Sequence, residues 1–423
     1  MAETDNIENT ENAMPPLDYD PAELPRELQR HYISAGDEDI ASMLRLVGCD
    51  SLENLFDPID AGVRFDAAPD IPEEESYDST RRVLWEISKK NRLRTSFIGD
   101  GLPHWKVQPI TSRVAAIRNL ATSYTPYQPE RSQGTMITHW IYQCVLSMLT
   151  GFEAINCSLY DRSTGLYEAV SCAIRLKRGS DTVIVPQALY PGDLDVLRTL
   201  TGDTELHVVE TPVDPATGRI DQNALRAEAE EAGSKLAAVL FPQVNTFGIL
   251  EDVDGLTELC AEYDTRSIAV IDPILLATGG LKPPVDFGRN GADMIVGEGQ
   301  HLAIGPNFGG PGLGIFGVRH NEKTKNDIRQ TPGRFVGRAE DAVGRECLSM
   351  ILSTREQHIR KDRATSNICS NQAFLATLAG ASLLSRGDRN LMTEVREARR
   401  KARDAAEGMA KTRGVRLAFP DAP

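Results

Sequence analysis

The sequence predicts an α/β fold built on a mostly parallel sheet. From about residue 181 onward, short apolar runs alternate with helix-like stretches of ten or more residues. Strands joined by helices of that length are usually parallel neighbours in one sheet, with helices covering both faces. The chain has 423 residues, of which 41% are hydrophobic, so it can bury a large core. We therefore expect one large α/β domain with smaller pieces at its ends.

The chain begins with an acidic stretch and continues with helices. Residues 1–25 hold seven acidic residues and no lysine or arginine, a composition typical of a disordered tail. Residues 38–60 have the apolar spacing of a short pair of helices, and residues 75–150 are mostly helical. Residues 340–413 are predicted to be helical and charged, and residues 415–420 resemble the opening of a strand.

Six apolar runs predict the strands of the sheet, at residues 181–186, 205–210, 236–242, 267–272, 293–299 and 313–318. The whole pattern divides the chain into four parts. They are an acidic disordered tail over 1–37, a helical N-terminal segment over 38–120, a large α/β domain over 121–345, and a helical C-terminal segment over 346–423 that leads into a small domain.

The composition is acidic overall. Sixty-one acidic residues against 46 lysines and arginines give a net charge of -15. This balance argues against nucleic acid or an anionic membrane as the main partner, because both favour a basic surface. No run of 18 apolar residues occurs, and the first residues lack the apolar core of a signal peptide. The seven cysteines form no CxxC pair, so we expect a cytoplasmic protein without a disulfide framework or a metal site.

The first motif with chemical potential is SYTPYQPERSQG, residues 123–134. Its two prolines stiffen the loop, because proline fixes the φ angle. The loop therefore holds tyrosine hydroxyls and glutamine amides in place. From the residues alone, a rigid surface loop with aromatic packing and a ligand-binding loop both stay open.

Two further motifs indicate backbone positions suited to a ligand. In Ser158–Ala169, small hydroxyl residues precede an apolar helix, which predicts either an ordinary helix cap or an anion site at the helix start. Asp272 ends a buried strand, and cofactor contacts gather at that edge of a doubly wound sheet. The glycine run Gly305–Gly314 indicates close backbone approach, but it has no GxGxxG between strand and helix.

A basic segment stands out in this acidic chain. Arg355, Arg360, Lys361 and Arg363 come directly before Thr365, Ser366 and Asn367. Arginine binds carboxylates and phosphates through paired hydrogen bonds, and the following residues are turn-prone. An anion site and a solvated helix face remain equally open. The seven histidines show no metal-ligand spacing, and no GxSxG serine-hydrolase motif occurs.

Seven long segments resemble, in order and spacing, subunit 1 of the glycine dehydrogenase P-protein of the glycine cleavage system. They are SYTPYQPERSQG, NCSLYDRSTGLYEA, PQVNTFGILED, DPILLATGGLKPP, GEGQHLAIGPNFGGPGLG, TPGRFVGR and STREQHIRKDRATSNICSNQA. The resemblance covers roughly residues 38–420. It implies the aminotransferase-like fold of pyridoxal phosphate enzymes (fold type I), which agrees with the alternating strands and helices.

The resemblance also implies that this chain cannot hold the cofactor covalently. In the catalytic half of the family a lysine precedes the GGP stretch, and here that position is Gln300, with no lysine from Pro283 to Arg319. An amide cannot form an imine with an aldehyde. Asp272 matches the acid that pairs with the pyridine nitrogen, and Tyr190 stands in place of a ring-stacking histidine. Pyridoxal phosphate would then be held by the partner subunit.

The implied role of this chain is to complete a site at the interface with glycine dehydrogenase subunit 2. Together they would decarboxylate glycine and pass the aminomethyl group to the lipoyl arm of the H-protein, as an α2β2 assembly. The glycine pocket and its entrance would include Tyr124, Thr125, Tyr127, Gln128, Glu130, Ser132, Gln133, Arg355 and His358. The partner's cofactor would lie near Thr365, Ser366 and Asn367.

Three departures from the family pattern accompany the resemblance. Residues 94–109 lack an expected tyrosine, and Arg162 replaces a small residue that a cofactor phosphate would require. The C-terminal small domain is expected to be incomplete. Two alternatives also stand beside the main reading: a stabilising subunit without a role in the site, and an independent pyridoxal phosphate enzyme using Lys282. An enzyme with its own nicotinamide site is less favoured than either.

Overall fold

The computed structural model describes residues 35–64, 70, 75–94, 105–121, 125–351, 357–368, 372–420 and 422, with only the backbone for His358. The chain divides into two compact units, an N-terminal unit, Met1–Thr95, and a C-terminal unit, Ser96–Pro423. Residues 1–34 of the tail expected over 1–37 lie outside the described part of the chain. The four predicted domain boundaries stay predictions.

The described residues of the N-terminal unit form two α-helices, α1 (Asp37–Val47) and α2 (Tyr77–Ser88), and two short 3-10 turns, at Leu52–Phe56 and Ala61–Val63. Acidic residues fill the first turn of α1, where they complement the helix dipole. The helix ends at Gly48, whose φ of 74° favours glycine. The helical pair expected over residues 38–60 is confirmed as one helix followed by the 3-10 turn.

The C-terminal unit is built on a seven-stranded sheet. Its strands are β1 (Ala154–Ile155), β2 (Thr182–Pro186), β3 (His207–Thr211), β4 (Leu236–Pro242), β5 (Arg266–Ile271), β6 (Met294–Glu298) and β7 (Gly314–Val318). The spatial order is β1-β7-β6-β5-β4-β2-β3, and only the pairs that include β7 are antiparallel. The predicted mostly parallel sheet and all six predicted strands are confirmed. The two-residue β1 was not anticipated.

Helices cover the sheet and connect its strands. They are α3 (Pro109–Ala115), α4 (Arg118–Ala121), α5 (Gln133–Thr150), α6 (Arg162–Leu176), α7 (Pro191–Thr201), α8 (Gln222–Ala232), α9 (Val253–Glu262), α10 (Gln300–Ala303), α11 (Gln357–Arg360) and α12 (Ala373–Ala410). All seven residues of β4 are buried, as expected for a strand covered on both faces. Its alternate side chains divide between two apolar clusters: Val239 and Phe241 belong to one, and Ala238 and Leu240 to the other.

A separate hairpin follows the large sheet. Strands β8 (Phe335–Glu340) and β9 (Glu346–Ile351) pair antiparallel in continuous register. The predicted domain boundary at residue 345 falls in the turn of this hairpin. The helical structure predicted over residues 340–413 is wrong at Glu346–Ile351, which form β9. The strand expected at residues 415–420 is wrong, because these residues have irregular backbone with a bend and a turn, and Phe419 packs against Phe247. Within the described ranges, no helix has both the length and the apolar character that a membrane crossing requires.

Candidate functional site at the carboxyl edge of the sheet

The candidate site lies where the parallel strands end. Strands β4, β5 and β6 are neighbours, and Gln243, Asp272 and Gln300 follow them at the same edge. The carboxyl edge of a doubly wound sheet is the usual place for cofactors and substrates. The side chains that the sequence singled out at Asp272 and Gln300 are therefore brought to one edge by the fold.

Gln300 is the first residue of α10, directly after β6. Its side chain is only 8% exposed, and its Nε2 donates to the carbonyl oxygen of Pro306 at 3.3 Å. The backbone N–H of Gln300 donates to Oε1 of Glu298 at 2.8 Å. The amide is thus packed into the start of the glycine-rich loop and offers no amine at this position.

Asp272 forms an ion pair with the residue that follows Gln300. Its Oδ1 lies 3.3 Å from Nε2 of His301. Burial acts to raise the pKa of Asp272, but the charge and hydrogen bond of His301, the backbone N–H of Ile274 and the charge of Arg162 together outweigh burial, so the pKa lies below its usual value. Burial acts to lower the pKa of His301, but the charge and hydrogen bond of Asp272 together with the charge of Glu298 outweigh burial, so that pKa is raised. Both shifts favour a charged pair. His301 was not anticipated as a site residue.

A second ion pair fills the start of helix α6. Arg162 Nε donates to Oδ2 of Asp193 at 2.7 Å, and Ser163 Oγ donates to Oδ1 of the same carboxylate at 2.6 Å. The guanidinium of Arg162 lies 4.4 Å from the centre of the Tyr190 ring, which adds a cation–π contact. Asp161 caps the helix by accepting from the N–H of Thr164 at 2.7 Å. Of the two readings left open for this segment, the structure shows the ordinary helix cap.

Glu298 links the two ion pairs to the glycine-rich loop. It accepts hydrogen bonds from the backbone N–H groups of Arg162, Gln300 and Leu313 at 3.1, 2.8 and 2.8 Å. Burial raises the pKa of Glu298 even though these three donors act to lower it. A side-chain Cβ at Gly314 would lie 2.5 Å from the carbonyl oxygen of Asp161, so the close backbone approach predicted for the glycine run is confirmed.

The predicted pocket loop is anchored on the hairpin. Gln133 Nε2 donates to the carbonyl oxygens of Pro129 and Leu348, and its Oε1 accepts from the N–H of Leu348. Tyr127 is 48% exposed, and Arg334 Nη2 lies 3.2 Å from its hydroxyl. Gln128, Glu130 and Ser132 lie in the turn before α5. Tyr124 and Arg355 fall outside the described residues. The pocket assignment stays a prediction.

A small cavity lies beneath this loop, where no ligand was predicted. It is lined by Pro126, His139, Cys157, Ser158, Arg334, Met350 and Ala373, and has room for about one water molecule. His139 is 3% exposed, and neither ring nitrogen has a hydrogen-bond partner within the described structure. Burial lowers the pKa of His139 to about 4, so the ring is neutral at physiological pH. In the sequence His139 begins an apolar periodic run, and the expectation was a hydrogen-bonded or exposed histidine, which the structure contradicts.

The turn at Thr365, Ser366 and Asn367, which was predicted to lie near the partner's cofactor, packs against helix α6. Ser366 Oγ donates to Oε1 of Glu168 at 2.8 Å and accepts from the N–H of Ile368 at 3.0 Å. Glu168 is 5% exposed, and burial raises its pKa. Thr365 and Asn367 flank this contact. Hydrogen bonds thus hold the 365–367 turn on α6 and the pocket loop on β9.

Lys282, the alternative lysine, has a different environment. Its Nζ lies 2.8 Å from Oδ1 of Asp254 in helix α9, and both side chains are about half exposed. The hydrogen bond from Lys282 lowers the pKa of Asp254, as expected for an ion pair. The amine is held by a surface carboxylate, which disfavours Lys282 as an attachment point for a cofactor.

Comparisons with known proteins agree on one family. The family model described as Glycine cleavage system P-protein matches residues 30–419. A probable glycine dehydrogenase (decarboxylating) subunit 1 from Nitrosomonas europaea is 36% identical over 388 residues, which cover 92% of this chain and 83% of the relative. The same description applies to a relative from Aquifex aeolicus, 37% identical over 82% of this chain and 75% of its own length.

Solved structures extend the comparison to the fold. A crystal structure of glycine decarboxylase (P-protein) in an inhibitor-bound form is 32% identical, with a TM-score of 0.76, over 92% of this chain and 85% of the other. The structure of mouse CSAD matches with a TM-score of 0.58 at 14% identity, over 87% of this chain and 75% of the other. At that identity the second match bears on the fold alone.

Proposed function

This chain belongs to the glycine cleavage system P-protein family, and from that membership we propose that it is the first of two unlike subunits of glycine dehydrogenase (decarboxylating). With the second subunit it decarboxylates glycine and passes the aminomethyl group to the lipoyl arm of the H-protein. The observation that carries the proposal is the similarity along 92% of the chain to proteins described as subunit 1. The working assembly is an α2β2 oligomer in the cytoplasm.

The second subunit holds the cofactor in this proposal. Pyridoxal phosphate, when bound, supplies an electron sink for the electron pair released as carbon dioxide leaves glycine. The residues of this chain do not fit its covalent attachment, because Gln300 presents an amide where an amine is required. Asp272 is already paired with His301, and Arg162 with Asp193. These internal ion pairs support the view that the chain's own side chains fill the place where a cofactor would bind.

The contribution of this chain is to the walls of the partner's site. Tyr127 is exposed at the tip of a loop that Gln133 fastens to β9, so its hydroxyl has a defined position. Thr125, Gln128, Glu130 and Ser132 share that loop and line the glycine pocket with it. Thr365, Ser366 and Asn367 lie near the partner's cofactor, with Arg355 and His358 at the entrance.

Cofactor attachment tests the proposal directly. The absorbance spectrum of the purified chain is recorded with pyridoxal phosphate, for the chain alone and for its mixture with the second subunit. Both samples are then reduced with borohydride and analysed by mass spectrometry. We expect no reduced adduct on this chain, one adduct on the second subunit, and release of carbon dioxide from glycine only in the mixture. A stoichiometric adduct on a lysine of this chain would show that it is an enzyme in its own right.

The rival hypothesis is that this chain only stabilises its partner. A substitution in the pocket loop distinguishes the two hypotheses. Tyr127→Phe removes one hydroxyl and leaves the ring that contacts Arg334. If the chain shapes the glycine pocket, the mixed enzyme should lose activity while pair formation is unchanged. Equal rates for Tyr127→Phe and the unmodified chain, at saturating and at low glycine, would favour the stabilising role.

A further inference from the structure

The buried histidine beneath the pocket loop has polar atoms that the protein itself does not pair. His139 of helix α5 is 3% exposed, and neither Nδ1 nor Nε2 has a hydrogen-bond partner among the described residues. A neutral imidazole carries one donor and one acceptor, and burying such groups without partners destabilises a fold. Buried polar side chains are therefore nearly always paired with protein or with ordered water. The ring of His139 requires a small polar ligand.

The cavity beside this ring has the size of one water molecule. Its volume is about 10 Å³, at the lower limit for one bound water. Cys157 and Ser158, which follow β1, line it and are 6% and 5% exposed. The Cys157 thiol is already engaged, because Sγ donates to Oε1 of Gln143 at 3.2 Å. In the described part of the chain, no three histidine, cysteine or acidic side chains form a cluster that suits a metal ion. Water therefore fits this cavity better than a cation.

Arg334 connects the cavity to the pocket loop, residues 125–133. It lines the cavity together with Pro126 of that loop. Its backbone carbonyl accepts from the N–H of Cys157 at 2.7 Å, which fixes the start of β8 beside the chain that follows β1. Its Nη2 donates to the hydroxyl of Tyr127 at 3.2 Å, and its guanidinium lies 5.8 Å from the centre of that ring. The residue that contacts Tyr127 therefore also forms part of the cavity wall.

We propose that the cavity binds one water molecule that connects His139 to Arg334, and that His139 is thereby a positioning residue for Tyr127. A buried water typically makes about three hydrogen bonds, and His139, Arg334 and the Ser158 hydroxyl are its partners here. Burial lowers the pKa of His139 to about 4, so the ring keeps both a donor and an acceptor for this water at neutral pH. The role of Tyr127 rests on the proposed function, whereas the water does not.

Crystal structures of the full chain, at a resolution that shows ordered water, test the site itself. In the unmodified chain we expect one water within hydrogen-bonding distance of a His139 ring nitrogen and of Arg334. In His139→Leu we expect the water to be lost and the contact between Arg334 and Tyr127 to be broken. A dry cavity in the unmodified chain would overturn the proposal. The same holds if the contact between Arg334 and Tyr127 is unchanged in His139→Leu.

Steady-state rates of the enzyme mixed from both subunits test the positioning. His139→Leu removes both ring nitrogens and should raise the KM for glycine by about three- to tenfold, the size expected for one lost hydrogen bond. Tyr142→Phe is the matched control. The Tyr142 hydroxyl is also buried in α5 without a partner among the described residues, but Tyr142 does not line the cavity. This control should change the KM by less than about twofold, and His139→Gln, which keeps a donor and an acceptor, should recover part of the loss.

A double substitution shows whether His139 acts through Tyr127. Adding His139→Leu to Tyr127→Phe should raise the KM by less than about twofold further, because substitutions along one chain of contacts are not additive. Effects that multiply, or equal KM values for His139→Leu and Tyr142→Phe, would show that His139 does not position Tyr127. If the unmodified chain and the second subunit do not decarboxylate glycine together, the proposed function has failed. The crystal structures would still decide the water and its link to Arg334.

Discussion

The neutral, buried His139 makes the fold sensitive to acid. The pKa of His139 is lowered from 6.5 to about 4 by burial, and in the unfolded chain it returns to its ordinary value. Below about pH 6.5 the unfolded chain therefore binds a proton that the folded chain does not. The neutral His139 ring therefore costs no stability above its pKa in the unfolded chain. As the pH falls from that value toward its pKa in the folded chain, the free energy of unfolding decreases.

The size of the effect follows from these two values. Between about pH 7.5 and pH 5, the unfolded state gains about 2 kcal/mol from protonating this one imidazole. The full difference, approached near pH 4 and below, is about 3 kcal/mol. Other groups titrate in the same range, so the quantity to compare is the difference between the unmodified chain and a variant without the ring.

His139→Leu supplies that variant, because leucine is similar in bulk and carries no polar atom that needs a partner. The free energy of unfolding is measured with urea near pH 7.5 and near pH 5. The unmodified chain should lose about 2 kcal/mol more than His139→Leu over this interval. His207→Leu, at an exposed histidine, is the control and should lose as much as the unmodified chain. Equal losses for His139→Leu and the unmodified chain would refute a neutral buried ring.

Three more predictions concern the ion pairs and the loop. Asp193→Asn leaves the guanidinium of Arg162 without its charged partner and should cost about 1–3 kcal/mol of stability, measured by urea unfolding. Gln133→Ala removes three hydrogen bonds to backbone and should cost a similar amount, about 1–3 kcal/mol, and weaken binding of glycine by the mixed enzyme. Gln300→Lys alone should give no stoichiometric borohydride-reducible adduct with pyridoxal phosphate, because the pairs Asp272–His301 and Arg162–Asp193 still fill the site.

Each of these three predictions would be contradicted by a specific result. An Asp193→Asn chain as stable as the unmodified one would mean that the pair with Arg162 contributes nothing measurable. Gln133→Glu keeps the acceptor but not the donors, so stability equal to Gln133→Ala would show that only the donor bonds matter. A stoichiometric adduct on Gln300→Lys would show that the missing amine was the only obstacle.

The fold class could be predicted from the amino-acid sequence, whereas the absence of a cofactor-binding lysine is an implication of the family resemblance and stays a prediction. Alternating apolar runs and helical stretches are local patterns, and six strands followed from them within a few residues. Gln300 was singled out by the resemblance to the P-protein family, in whose catalytic half a lysine precedes the GGP stretch. The two-residue β1 and the hairpin of β8 and β9 were missed, because strands so short or so polar carry little periodic signal.

The ion pairs near Gln300 could not be predicted from the sequence and follow from the tertiary structure. Arg162 meets Asp193, and Asp272 meets His301, across about 30 residues of chain in each case. Such pairs depend on the path of the backbone between strands, which periodicity does not describe. His139 is the same kind of case, since its burial above a small cavity depends on β8, β9 and α12 closing over it. Local sequence patterns predict helices and strands. The side-chain contacts at their ends depend on which helices and strands the fold brings together.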